Sequence, residues 1–262
     1  FCGVNLVGVV GEDDFPDEHV ALLTSRGVDV TGLARRPGRT FRWSGVYADD
    51  FSSRTTRSTE LGVFEEFDPV LPPAYAKSRT LLLGNIHPAL QLKVLDAVPE
   101  SVFVATDTMN LWIEATRAEL DRVIARTDLL VINDEESLLL TGEPQIAVAA
   151  ERILAAGPRY VIIKRGEHGA WLFGDEQPFF APAMPLGEVI DPTGAGDSFA
   201  GGLVGSLAAG GTVDPESIRR GMVYGAAVAS ACVQGFGVER IAEIDRAFVD
   251  ARFEELRRLV RI

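Results

Sequence analysis

The stretch Leu129-Leu130-Val131-Ile132-Asn133-Asp134-Glu135-Glu136 holds the fold in miniature. Four successive apolar residues, two of them β-branched, read as a strand buried on both faces. The run stops at Asn133, a residue suited to cap a helix, and three acidic residues follow where the positive end of a helix dipole favours them. A buried strand running straight into a capped helix is half of a βαβ unit. The same grammar recurs along the chain. Strands are expected at 6–10, 80–83, 102–106 and 161–163, and helices at 16–26, with Val20, Leu22 and Leu23 on one side, and at 89–98. Short strands at 171–173 and 179–180 have no helix between them, and from Gly196 onward the pattern is almost wholly helical. The alternation predicts an α/β fold: a three-layer α/β/α sandwich with a mainly parallel central sheet.

Residues 39–67 break the rhythm. Thr40, Phe41, Trp43, Val46 and Tyr47 lead to a polar turn near Phe51-Ser52-Ser53-Arg54, and Thr55, Thr56, Thr59 and Val63 follow. Two β-prone runs around a turn, with no helix after them, predict an antiparallel hairpin too long to be a simple connection. It reads as a β lid inserted into a single domain spanning 1–262, closing over a site and excluding water. The alternative is an edge extension of the main sheet. The hairpin's free edge also suits pairing with a second copy, a homodimer through the lid.

Composition narrows the function. The 262 residues carry 38 acidic and 25 basic side chains, a formal net charge of −13, which argues against nucleic acid or an anionic membrane as a main partner. No apolar run reaches the roughly 18 residues of a membrane span; the longest, 199–211 and 222–233, are rich in Gly and Ala. Cys2 and Cys232 are the only cysteines, and His19, His87 and His168 are scattered, so no disulfide framework or His/Cys metal site is expected and a reducing cytoplasm is the default location. The chain opens on Phe1-Cys2-Gly3-Val4 and enters a strand almost at once, as a domain entered partway through would.

The chemistry concentrates in Asp191-Pro192-Thr193-Gly194-Ala195-Gly196-Asp197-Ser198-Phe199-Ala200-Gly201-Gly202. Gly194, Ala195 and Gly196 let backbone N–H groups approach a ligand at the positive end of the helix they open, an anion site built without a cationic side chain. Asp197 falls in the first turn, where the dipole favours a carboxylate. Beside a phosphate such a group repels its ligand, unless it takes the proton of a hydroxyl attacking that phosphate. Helix capping is the plainer alternative for Asp197, yet capping needs neither the glycines before it nor Gly201-Gly202 after it.

This segment resembles the second signature of the PfkB/ribokinase family of sugar and nucleoside kinases, D-T-x-G-A-G-D-x-F-x-G-G, with Pro192 where Thr is common. The resemblance implies a ribokinase-like fold, Asp197 as catalytic base, and the amides of Gly194, Ala195 and Gly196 as the γ-phosphate anion hole. It also implies ATP and Mg²⁺, with Thr193 beside the nucleotide, and in cation-activated relatives K⁺ held by carbonyls near Asp191 and Thr193. Asn133-Asp134-Glu135-Glu136 matches the family's N-x-x-E motif, in which Asn133 and Glu136 share a helix face and hold Mg²⁺ through water. Read alone, the same residues cap a helix. Lys164-Arg165-Gly166-Glu167-His168-Gly169 is similar to the K-x-G-x-x-G turn near the nucleotide phosphates, which brings in Lys164, Gly166 and Gly169; the other two lysines are Lys77 and Lys93. As bare sequence it is an ordinary β-turn. Gly235-Phe236-Gly237 lies where relatives wrap adenine, and otherwise reads as a glycine helix stop. Asp107-Thr108-Met109-Asn110-Leu111-Trp112 partly matches the D-x-N-x-R-x-x-L-W pattern of sugar kinases: Asn110 is displaced by one and the Arg is missing, which leaves recognition of an acidic sugar without its usual partner. Val7-Gly8-Val9-Val10-Gly11-Glu12-Asp13-Asp14 matches V-G-x-V-G-x-D, which in relatives follows roughly 40 further residues carrying a grip on the acceptor sugar. Neither G-x-x-x-x-G-K-[ST] nor a G-x-G-x-x-G between strand and helix is present.

The expectation is therefore an ATP-dependent kinase acting on an alcohol group of a sugar or related polyol. Arg42 and Trp43 of the hairpin, Asn85 and Asp197 are the candidate acceptor contacts. A nucleoside kinase is the alternative within the class, since an aromatic face suits a sugar ring and a base equally. A non-catalytic ligand-binding or regulatory homologue is the alternative outside it, against which Asp197, Asn133 and Glu136 all stand intact.

Overall fold

The computed structural model describes residues 1–48, 54–174 and 177–260, in two units, Gly3–Lys77 and Ser78–Ile262 with Phe1–Cys2. In the smaller unit, strand β1 (Val4–Gly11), helix α1 (Asp17–Ser25) and strand β2 (Val28–Arg36) form a βαβ turn whose two strands pair in parallel. β2 has no counterpart in the sequence reading. Its Val28-Asp29-Val30-Thr31 start alternates apolar with polar, and Arg35-Arg36 ends it, so it lacks the apolar run that marks the other parallel strands.

Strands β3 (Arg42–Tyr47) and β4 (Arg54–Glu60) pair antiparallel, with a register shift between Ser44 and Gly45. They form a two-stranded sheet of their own among the described residues, not an extension of a larger one. The turn expected at Phe51-Ser52-Ser53 lies outside the described residues. Asp14 ties the base of the hairpin, accepting the Thr40 N–H at 2.7 Å and Arg42 Nη2 at 3.1 Å. The Thr40 hydrogen bonds, helped by the Arg42 charge, hold the Asp14 carboxyl below its usual range.

The larger unit is built on a six-stranded sheet. Strand β5 (Thr80–Leu83), helix α2 (Pro88–Ala97), strand β6 (Phe103–Asp107), helices α3 (Asn110–Ala115) and α4 (Arg117–Ile124), strand β7 (Leu129–Asn133), helices α5 (Asp134–Thr141) and α6 (Ile146–Ala155) and strand β8 (Tyr160–Lys164) follow in order. Strands β9 (Ala170–Phe173) and β10 (Phe179–Ala181) then lead to helices α7 (Ala195–Gly210), α8 (Pro215–Cys232), α9 (Glu239–Glu243) and α10 (Arg246–Leu259). The spatial order is β10-β9-β8-β7-β6-β5; β5 to β8 run parallel, while β9 and β10 are antiparallel additions.

Alternation along the buried strands produces the layers. Leu129, Val131, Ile162 and Leu172 share a core with Phe199, Leu203, Met222 and Phe253 of α7, α8 and α10. Their neighbours Leu130, Ile132, Val161 and Ile163 point the other way, into a core with Leu120, Ile124, Leu140 and Ile153 of α4, α5 and α6. A sheet apolar on both faces must be covered on both.

Helix α7 reaches its place through glycine. A Cβ on Gly202 would lie 3.0 Å from Gly225 Cα, and one on Gly225 would lie 2.7 Å from the Phe199 carbonyl oxygen, so α7 and α8 meet at backbone distance. Gly201, its neighbour in the motif, faces open space. Gly225→Ala should therefore destabilise by about 1–3 kcal/mol through overpacking, whereas Gly201→Ala should stabilise by roughly 0.5–1 kcal/mol through helix propensity. Chemical denaturation of both variants checks this; equal effects would contradict the packing.

Candidate active site

The parallel strands deliver Asp107, Asn133 and Lys164 to the carboxyl-terminal edge of the sheet, where open α/β folds bind ligands. Lys164 Nζ stands 3.7 Å from Asp107 Oδ1, and the two side chains keep only 16% and 10% of their exposure. A Cβ placed on Gly196 would lie 3.2 Å from the same Nζ, so the ammonium rests against the first turn of α7. Burial raises the Asp107 carboxyl above its usual range; the Lys164 charge opposes that rise and the Asp197 charge adds to it. Asp107 carries no mark of a site residue in the sequence motif that contains it. Its signal is positional: an acid ending one parallel strand, in register with the strand beside Lys164's.

The turn before α7 spends some of its amides on itself. Asp191 Oδ1 accepts the Thr193 N–H at 2.9 Å, and the Ile190 N–H donates to the Val233 carbonyl at 2.8 Å. Gly194 caps the helix with a φ of 81°, a left-handed conformation that favours glycine. The Ala195 N–H donates to the Pro192 carbonyl at 3.1 Å, so it is not open to an anion in this conformation. The amides without a partner among the described residues are those of Gly194, Gly196 and Asp197. Of the three amides expected to face an anion, those of Gly194 and Gly196 are open and that of Ala195 is not. Beneath it lies the Cys232 thiol, 3.5 Å from the Thr193 carbonyl oxygen and pushed up in pKa chiefly by burial.

Asn133 and Glu136 form a reciprocal capping box on α5. Asn133 Oδ1 accepts the Glu136 N–H at 2.7 Å, and Glu136 Oε2 accepts the Asn133 N–H at 2.8 Å. Glu136 is 5% exposed. Among the described residues no group of three or more His, Cys, Asp or Glu could hold a metal ion. This donor set suits Mg²⁺ arriving with phosphate and its own waters rather than a protein cage. Gly166 and Gly169 both have positive φ around a tight turn, where a Cβ on Gly169 would lie 2.4 Å from the Ala181 carbonyl oxygen. Gly169 thus serves the packing of the β9–β10 region. Gly235 likewise fits against Arg240, 2.9 Å from its Cβ.

Of the acceptor candidates, Asn85 joins a small network: its Oδ1 accepts Trp112 Nε1–H at 2.7 Å, and its Nδ2 lies 3.0 Å from Met109 Sδ. Arg42 and Trp43 belong to the smaller unit, where Arg42 meets Asp14 and Trp43 Nε1 donates to Thr56 Oγ1 at 3.2 Å. Three further polar atoms were not anticipated. Gln91 Oε1, Thr108 Oγ1 and Asn110 Oδ1 are buried with no hydrogen-bond partner among the described residues, the last two just beyond Asp107.

Comparison with known proteins follows this geometry. A cytidine kinase of Thermococcus kodakarensis is 30% identical over 225 residues, covering 84% of this chain and 78% of the relative. A 2-dehydro-3-deoxygluconokinase of Thermoproteus tenax is 28% identical over 246 residues, covering 88% and 74% respectively. The solved structure of Arabidopsis thaliana ribokinase, complexed with ribose and ATP, superimposes with a TM-score of 0.77 at 23% identity, covering 96% of this chain and 82% of that one, which establishes the ribokinase-like fold. The pfkB family carbohydrate kinase pattern matches residues 2–244, and the chain belongs to that family of kinases.

Proposed function

We propose that the chain transfers the γ-phosphate of ATP to an alcohol group on the sugar moiety of a nucleoside. The observation that carries this reading is Asp197 in the first turn of α7, flanked by the unpartnered amides of Gly194, Gly196 and its own N–H. A carboxylate beside an anion cradle has a use if it removes a proton from the attacking hydroxyl. The amides then meet charge developing on the transferring group, in fixed directions and without reorganisation. Lys164 supplies a cation at the Gly196 side of the same turn. Mg²⁺ brought by the nucleotide would be held through water by Asn133 and Glu136 and would neutralise phosphate charge. A monovalent cation near the Asp191 and Thr193 carbonyls belongs to the same reading.

The nucleoside replaces the simple sugar favoured by the sequence alone for two reasons. The cytidine kinase relative supports it over most of both chains. The positions that would hold the Arg of the acidic-sugar pattern carry Leu111 and Trp112, which offer no carboxylate partner and so count against an acidic sugar. A neutral sugar is the second reading, favoured by the ribokinase-like fold with Asn85 and Trp112 as contacts.

Asp197→Asn should lower turnover by at least about 100-fold, the scale of general base catalysis, while the dissociation constant for ATP changes less than about threefold. Steady-state rates with calorimetric binding test this, and near-normal turnover would remove Asp197 as the general base. A panel of cytidine, adenosine, inosine, ribose, fructose and 2-dehydro-3-deoxygluconate, scored by ADP release, should give the highest kcat/KM with a nucleoside. A free sugar ahead by tenfold or more would reverse the choice of acceptor.

A further inference from the structure

We infer that Asp107 is a positioning residue that anchors the Lys164 ammonium beside Gly196 and keeps it off the Asp197 carboxylate. The inference rests on the phosphotransferase reading above. Asp107 is itself fixed from several sides. Its carboxylate accepts the Thr108 N–H at 2.9 Å. Its carbonyl accepts Gln91 Nε2–H at 3.3 Å, and the same amide group donates to the Gly84 carbonyl at 2.9 Å, cross-linking the ends of β5 and β6. Gln91 is fully buried, so this anchor is a rigid part of the sheet's edge.

Lys164 is held more loosely. At 3.7 Å its contact with Asp107 is longer than the 2.7–2.9 Å of a strong charge-assisted hydrogen bond. The ammonium is therefore stationed rather than locked, and can turn toward a better acceptor. Two are nearby in kind: an incoming phosphate at the Gly194, Gly196 and Asp197 amides, and the Asp197 carboxylate, one residue beyond the Gly196 that Lys164 touches. An ion pair between Lys164 and Asp197 would neutralise the base. Asp107 competes for the ammonium at 3.7 Å, and the Asp197 charge lies near enough to add to the rise in the Asp107 carboxyl. As a pure stability device the pair would be poor, because a buried ion pair rarely outperforms apolar packing of the same volume.

The role separates from mere structure kinetically. In Asp107→Asn the local charge rises by one, so ATP should bind as tightly as before or more tightly, while the freed ammonium pairs with Asp197. kcat should fall at least tenfold with KM for ATP unchanged or lowered, and Asp107→Glu should recover part of the loss. Lys164→Met should lower both kcat and ATP affinity. The double variant Asp107→Asn/Lys164→Met should be no slower than Lys164→Met alone, since Asp107 acts through the lysine. Circular dichroism and thermal melts establish that each variant is folded. Losses that multiply in the double variant, a raised KM in Asp107→Asn, or wild-type turnover in Asp107→Asn would each overturn the inference while leaving the kinase reading intact. A wild-type protein that binds no ATP and phosphorylates nothing on the panel would remove the kinase reading first, and this inference with it.

Discussion

Everything at the sheet's edge depends on how closely α7 approaches α8. Gly202 and Gly225 bring the two backbones into contact, and Leu203 and Met222 join the sheet's Leu129, Val131 and Ile162 in one buried core. A helix start is useful to a ligand only if its amides point the same way each time, and a close-packed backbone interface fixes that direction. The left-handed Gly194 then turns the chain so that Gly194, Gly196 and Asp197 face outward with their N–H groups unspent. One packing constraint thus fixes both the open amides and the acid beside them.

The charge balance of the site follows from the same economy. On the proposed reading, a chain with a net charge of −13 recruits anionic phosphate with backbone dipoles, one lysine and the metal that accompanies the nucleotide. Most of the acidic surplus lies elsewhere. Where acids do enter the edge, each has its own surroundings: Asp107 is buried against Lys164, Glu136 is turned back onto its helix, and Asp197 stands beside the open amides.

Much of this was legible in the sequence, and the reasons for the rest are specific. The parallel strands announce themselves because burial on both faces demands unbroken apolar runs such as Leu129 to Ile132. β2 escaped because its exposed start alternates and its end is charged. The 191–202 motif reveals which residues gather at the helix start but not which amides are spent, since the Ala195 bond to Pro192 is set by the backbone angles at Gly194. The capping of α5 by Asn133 is visible in the spacing, including its partner Glu136. The pairing of Asp107 with Lys164 is not, because those residues are 57 positions apart and meet only through the register of three strands.

The Asn133–Glu136 box has a consequence for how changes at this edge are to be read. The two side chains each complete the other's backbone hydrogen bond, so the start of α5 needs both at once. A random change at either position first frays a helix and only secondarily alters anything bound nearby. A loss of activity on changing either residue therefore speaks of chemistry only when a thermal melt shows that the start of α5 is still formed.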